Sequence, residues 1–123
     1  MKHADREFEP MKMALAYLDL MPRAIGEIAA ERQRQIEKEG WSAKHDEQHS
    51  NGELARAAAC YAMPQGFRDL SIYGANTIRT TVWPWDLLWW KPKDRRRDLV
   101  RAAALIVAEI ERLDRSKLPK VQE

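Results

Sequence analysis

From Pro92 to Arg115 the chain reads PKDRRRDLVRAAALIVAEIERLDR, with no glycine and no further proline to interrupt it. Leu99, Ala103, Ile106, Ile110 and Leu113 recur there at alternating spacings of four and three, the period of one face of a helix. A helix with such a stripe is stable only when the stripe is covered, so it demands partner helices. The pattern predicts a helix over 93–114 opened by Pro92, with Leu99, Ile106 and Ile110 largely buried.

The remaining segments supply candidates for those partners. Residues 11–21 (MKMALAYLDLM) form a short apolar helical stretch, and Pro22 either starts a new helix or kinks a continuing one. From Arg23 to Glu39 the pattern is helical, with Ile25, Ile28, Ala29 and Ile36 on one stripe and Arg32 the one charged residue among them. Gly40 is a left-handed stop. After the loop WSAKHDEQH, Ser50 and Glu53 read as a capping box ahead of an alanine-rich helix that ends at Pro64-Gln65-Gly66. Helices are therefore expected over 24–38 and 52–62. The stretch 67–92 is too long for an idle connection, and its runs 70–73 and 77–82 around Gly74-Ala75-Asn76 read as a small hairpin. The expected fold is mainly α, a bundle of three or four helices with a small β-hairpin insertion before the last helix. Residues 1–22 form an N-terminal extension with a short helix, 23–115 a single helical domain whose insertion spans 64–92, and 116–123 a flexible tail.

With 123 residues the chain is long enough for one domain and short for two. A formal net charge of +2 is too small for bulk binding to nucleic acid or membrane, so basic character must be local. The single cysteine, Cys60, excludes an internal disulfide framework and fits a reducing, cytoplasmic compartment. Its alanine-rich setting reads as a small buried residue. No run approaches the roughly 18 apolar residues of a membrane span. Short helices bury little alone, and an alanine-rich stripe favours a homo-oligomer.

Three groups of residues carry candidate chemistry. Glu27 and Glu31, four apart, point the same way, and Glu53 and Asp98 open two later helices. Four such carboxylates suit a hard divalent cation, while pairing with Arg23, Arg34 or Gln35 and helix capping explain each of them without one. His45-Asp46-Glu47-Gln48-His49 puts two imidazoles and a carboxylate within five residues. This is the donor set of a transition metal, of a polar ligand site, or of a loop held by its own hydrogen bonds.

The third group is WPWDLLWWKPKDRRRD, residues 83–98, which holds four of the five tryptophans. Trp83, Trp85, Trp89 and Trp90 either cover one end of the helices or stack on a flat ring. Lys91, Lys93, Arg95, Arg96 and Arg97, at a helix start, suit phosphate oxygens. Asp94 and Asp98 dilute the basic run, which disfavours a long polyanion and favours a small phosphorylated ligand.

The segments IAAERQRQIEKEGW, HDEQHSNGELARAAACYA and WPWDLLWWKPKDRRRDLVRAAALIVAEIERLDR resemble a small protein family common in bacteriophages and prophages, whose members mostly carry no assigned function. The resemblance covers roughly residues 25–115. The ERQRQ opening and the closing RDLVRAAALIVAEIERLDR are also similar, more distantly, to phage MazG-like nucleotide pyrophosphohydrolases. Those are all-α enzymes that use Mg²⁺ to split nucleoside triphosphates into monophosphate and pyrophosphate. Their pattern has Glu-Glu-x-x-Glu on the second helix and Glu-x-x-Asp on the third. Here only Glu53 matches the former, and Asp98 is followed three residues later by Arg101 where an acid belongs.

A phage-derived nucleotide-binding protein of the host cytoplasm is therefore the first expectation, serving to sequester a nucleotide or a nucleotide-derived signal. Its site would comprise His45, Asp46, His49, the four tryptophans and the five basic residues, with no cofactor. The alternative is a divergent pyrophosphohydrolase holding Mg²⁺ or Mn²⁺ on Glu27, Glu31, Glu53 and Asp98. A protein-interaction module presenting the tryptophans is the third reading.

Overall fold

The computed structural model describes residues 22–118. Its elements are α1 (Arg23–Lys38), α2 (Ala43–Glu47), α3 (Glu53–Ala62), α4 (Gln65–Arg68), β1 (Ser71–Tyr73), β2 (Asn76–Thr77), α5 (Ile78–Val82), a 3-10 turn (Leu87–Trp89) and α6 (Arg95–Ser116). The fold is mainly α with a two-stranded antiparallel hairpin before the last helix, as expected. The apolar stretch at 11–21 lies outside the described residues.

Local signals explain most boundaries. Gly40, at φ +71°, ends α1, and the Trp41 N–H turns back to donate to the Gln35 carbonyl at 3.0 Å. Ser42 caps α2, its Oγ accepting the His45 N–H. Three expectations need correction. Ser50 does not cap α3. The helix starts instead behind left-handed Gly52, and the Glu53 carboxylate accepts the Asn51 N–H at 2.6 Å. Residues 78–82 are helix rather than strand, because Thr77 and Thr80 form a reciprocal capping box that turns the chain. Pro92 precedes α6 rather than opening it, since Asp94 takes the cap position and accepts the Arg97 N–H at 2.9 Å.

The core forms where α3 meets α6. Leu54, Ala57, Ala58, Cys60 and Tyr61 pack with Ala102, Leu105 and Ala108, and Trp83 joins the same cluster. Alanines on both helices let the backbones approach closely. Burying Leu54 and Leu105 contributes about 1.5–3 kcal/mol each.

The stripe expected to face this core does not. Leu99, Ile106 and Ile110 are 42%, 47% and 52% exposed, and Leu113 is exposed with them. The helix is apolar on two faces, and the inward one lies about 100° round from the spacing of the larger side chains. Small residues win because they allow α3 and the tryptophans to dock.

On α1 the inversion goes further, since the buried residues are Glu31, Arg32 and Gln35 while Ile25 and Ala29 face outward. Buried charges are tolerable only when paired. Arg32 donates to Asp46 at 2.9 Å, to Glu111 at 3.0 Å and to the Trp41 carbonyl at 3.3 Å. Glu27 and Glu31 accept from Arg96 and Arg97 of α6. The α1–α6 seam is thus ionic where the α3–α6 seam is apolar.

Arg68 ties the connecting segment to this frame. Its guanidinium donates to the Cys60 and Tyr61 carbonyls at the end of α3, to Asp98 of α6 at 2.9 Å, and lies over the Trp90 ring.

Candidate functional site

A cavity of about 780 Å³ opens between α1, the loop bearing α2, the end of α3 and the tryptophan segment. Trp41, Tyr61, Trp83, Trp85 and Trp89 form its aromatic surface. Trp83 is the anchor of this wall. It is 6% exposed, and its ring lies edge-on to Tyr61 and Trp85 at centroid distances of 5.6 and 5.4 Å. Trp89, 65% exposed, lies at the other extreme, with the Lys91 ammonium 5.6 Å from its ring centre. Trp90 packs against the core and stacks on Tyr61 at 4.7 Å, without lining the cavity. The segment is therefore core and lining at once.

Basic residues border the same space. Arg34 and Lys38 come from α1, Lys91 and Lys93 from the segment before α6, and Arg101 from α6 itself. Arg101 donates to the Lys91 carbonyl at 2.6 Å and sits over the Tyr61 ring, while its buried Nε has no partner among the described residues. Glu39 and Asp86 are the acidic lining residues. Arg95, Arg96 and Arg97 are not part of the lining. Arg95 is exposed, and the other two are held by Glu27 and Glu31.

Gln35 reaches the cavity from the buried side of α1. Its Nε2 donates to Glu31 at 3.1 Å, and the buried Oε1 has no hydrogen-bond partner among the described residues. Glu31 is ionised in this setting. Burial opposes its charge, but hydrogen bonds and attraction from Arg34 and Arg97 outweigh it and hold the carboxyl below the usual range.

His45 and His49 line the cavity side by side. Their rings are 4.6 Å apart edge to face, with Trp41 stacked parallel to His45 and Trp85 edge-on to His49. His45 Nδ1 is 3.2 Å from Asp46 Oδ1, and His49 Nδ1 is 3.2 Å from Glu53 Oε2. Asp46 lies behind the lining, fully buried and fixed by Arg32. Desolvation of the Glu53 carboxyl is outweighed by hydrogen bonds from its own backbone, from the Asn51 N–H and from His49, so its pKa falls.

The four acids considered as a hard-cation set are separately engaged. Glu27 pairs with Arg23 and Arg96, and Glu31 with Arg34 and Arg97. Glu53 serves Asn51 and His49, and Asp98 accepts from Arg68 and the Lys93 N–H. Among the described residues no three His, Cys, Asp or Glu side chains converge as a metal site.

Sequence reasoning missed Arg34, Gln35, Lys38, Glu39, Trp41, Tyr61, Asp86 and Arg101. Trp41, directly after the Gly40 stop, was the one signal to be had, because an aromatic residue there is turned back toward its helix. Comparison with protein-family models, with curated proteins and with solved structures returns no match.

Proposed function

We propose that the protein binds a nucleotide in this cavity, the ring of the base against tryptophan and the phosphates among the basic residues. The reading rests on one observation, the meeting of an aromatic wall and five cationic side chains around a space of about 780 Å³. Pockets of roughly 300–1,000 Å³ hold ligands of this size. Stacking contributes about 1–3 kcal/mol per base, and charge-assisted bonds to phosphate about 1.5–3 kcal/mol. The phosphates fall to Lys38, Lys91, Lys93 and Arg101 rather than to Arg95, Arg96 and Arg97, while Arg34, on the same border, is already paired with Glu31 and Glu39.

Binding rather than hydrolysis is the function favoured, because Glu27, Glu31, Glu53 and Asp98 each serve an arginine, a histidine or a backbone N–H. Together with the phage-family resemblance, this supports sequestration of a nucleotide or nucleotide-derived signal. The exposed stripe Leu99, Ile106, Ile110 and Leu113 supports self-association through α6. Thermal melting and calorimetry against a panel of nucleoside mono-, di- and triphosphates and cyclic nucleotides test the reading. At least one should raise the melting temperature and bind with one site per chain. A flat response across the panel would remove the proposal.

A further inference from the structure

His45 Nε2 and His49 Nε2 face each other at 3.3 Å. Their other nitrogens fix the protons. Asp46 Oδ1 and Glu53 Oε2 stand 3.2 Å from the two Nδ1 atoms, and an ionised carboxylate only accepts hydrogen bonds. Asp46 is ion-paired to Arg32 through its second oxygen, and Glu53 takes the Asn51 N–H on its own. Each Nδ1 therefore carries its hydrogen, and each Nε2 presents a bare lone pair to the other. Two lone pairs at that distance repel unless a proton or a metal ion lies between them.

We infer that His45 and His49 form a two-histidine site for a borderline transition-metal ion such as Zn²⁺, with its remaining positions open to the cavity. Two nitrogens about 2.0–2.1 Å from a tetrahedral ion are about 3.3–3.4 Å apart, which matches the observed separation. The carboxylates behind both rings are the usual orienting partners of metal-bound imidazole, fixing the tautomer and raising ligand basicity. Arg32 and the Asn51 N–H hold those carboxylates in turn. Both imidazoles are partly accessible from the cavity, at 30% and 19% for His45 and His49. Water or an anionic group of the bound ligand completes the coordination sphere. Imidazole favours zinc, copper, nickel and iron over magnesium and calcium. The site therefore differs in kind from the carboxylate cluster of a Mg²⁺ enzyme. It stands on the imidazole geometry alone, whereas contact of the metal with a phosphate rests on the nucleotide reading.

The test uses the full chain and metal alone, so its outcome is separate from that of nucleotide binding. Zn²⁺ affinity is measured by competition with a chromogenic chelator, and Co²⁺ is added to read visible ligand-field absorption. The expected result is one ion per chain. Asp46→Asn or Glu53→Gln should weaken binding about 10–100-fold. His45→Ala and His49→Ala should each abolish the Co²⁺ spectrum while circular dichroism stays unchanged. Imidazole nitrogen resonances of the parent should move at Nε2, not Nδ1, on adding Zn²⁺. Equal affinity in the parent and a His45→Ala/His49→Ala double variant would overturn the site. So would a parent that binds no Zn²⁺, and a single proton shared between the two Nε2 atoms would then account for their approach.

Discussion

Arg68 Nη2 donates to Asp98 Oδ2 at 2.9 Å with both side chains almost wholly buried, so the chain's insertion is fastened to the first turn of its last helix by a charged hydrogen bond. The other Asp98 oxygen accepts the Lys93 N–H at 2.7 Å. Removing one member of a buried pair strands the other and costs about 3–5 kcal/mol. Asp98→Ala and Arg68→Ala should each lower stability by that order in chemical denaturation, with or without divalent metal. An Asp98→Ala protein as stable as the parent would show that the pair is not structural.

The tryptophans should divide by burial. Trp83→Ala removes a ring from the core cluster and should cost about 3–5 kcal/mol of folding free energy. Trp89→Ala, at an exposed position on the cavity border, should melt close to the parent yet weaken nucleotide binding by about 1–3 kcal/mol. Melting curves and titrations on the same two variants decide the matter. If Trp89→Ala melts as low as Trp83→Ala, that ring is structural.

The basic residues should divide by place. Lys93→Ala should reduce nucleotide affinity about tenfold to a hundredfold, the loss expected for a charge-assisted phosphate contact. Arg95→Ala, two residues along but outside the lining, should leave affinity unchanged. A larger loss from Arg95 than from Lys93 would move the phosphate site to the helix start.

Acid should loosen the α1–α6 seam. The Glu31 carboxyl lies below its ordinary value in the folded chain, so the folded state holds its charged form more strongly than the unfolded state does. Its contribution is complete above the ordinary carboxylate pKa, near 4.5, and disappears as pH falls through the lower folded value. Glu31→Gln should lower stability at pH 7 by about 1–3 kcal/mol and flatten the dependence on pH in the acid range. An unchanged acid profile would show that Glu31 is not the group responsible.

How much of the molecule was legible in the sequence depends on what each signal measures. Helix positions came from periodicity and breakers, because Gly40, Pro64 and the uninterrupted 95–116 stretch act locally. The facing of those helices did not. Leu105 and Ile106 are neighbours of similar hydrophobicity, yet one is buried and the other half exposed, a choice made where the alanines of α3 and α6 meet rather than by the hydrophobicity of either residue. Arg32 on α1 looked like a blemish on an apolar stripe, and it is the buried hub of three contacts. The tryptophans and the histidines were visible as candidates, since such residues are costly to place idly. Arg34, Lys38 and Arg101 were not, because nothing local distinguishes an arginine that borders a cavity from one that borders water.

The Arg68 clamp should also leave a mark on the order of assembly. Its acceptors are carbonyls at the end of α3 and a carboxylate on α6, and they come within reach of one guanidinium only after those two helices have paired. A contact that needs two helices already paired is expected to have a low φ-value. The stretch from α4 to the 3-10 turn, tryptophans included, should therefore seat itself after the transition state. Weakening the clamp would then speed unfolding while leaving the refolding rate nearly untouched. The cavity takes part of its wall from that stretch, so it should be complete only once the clamp has closed.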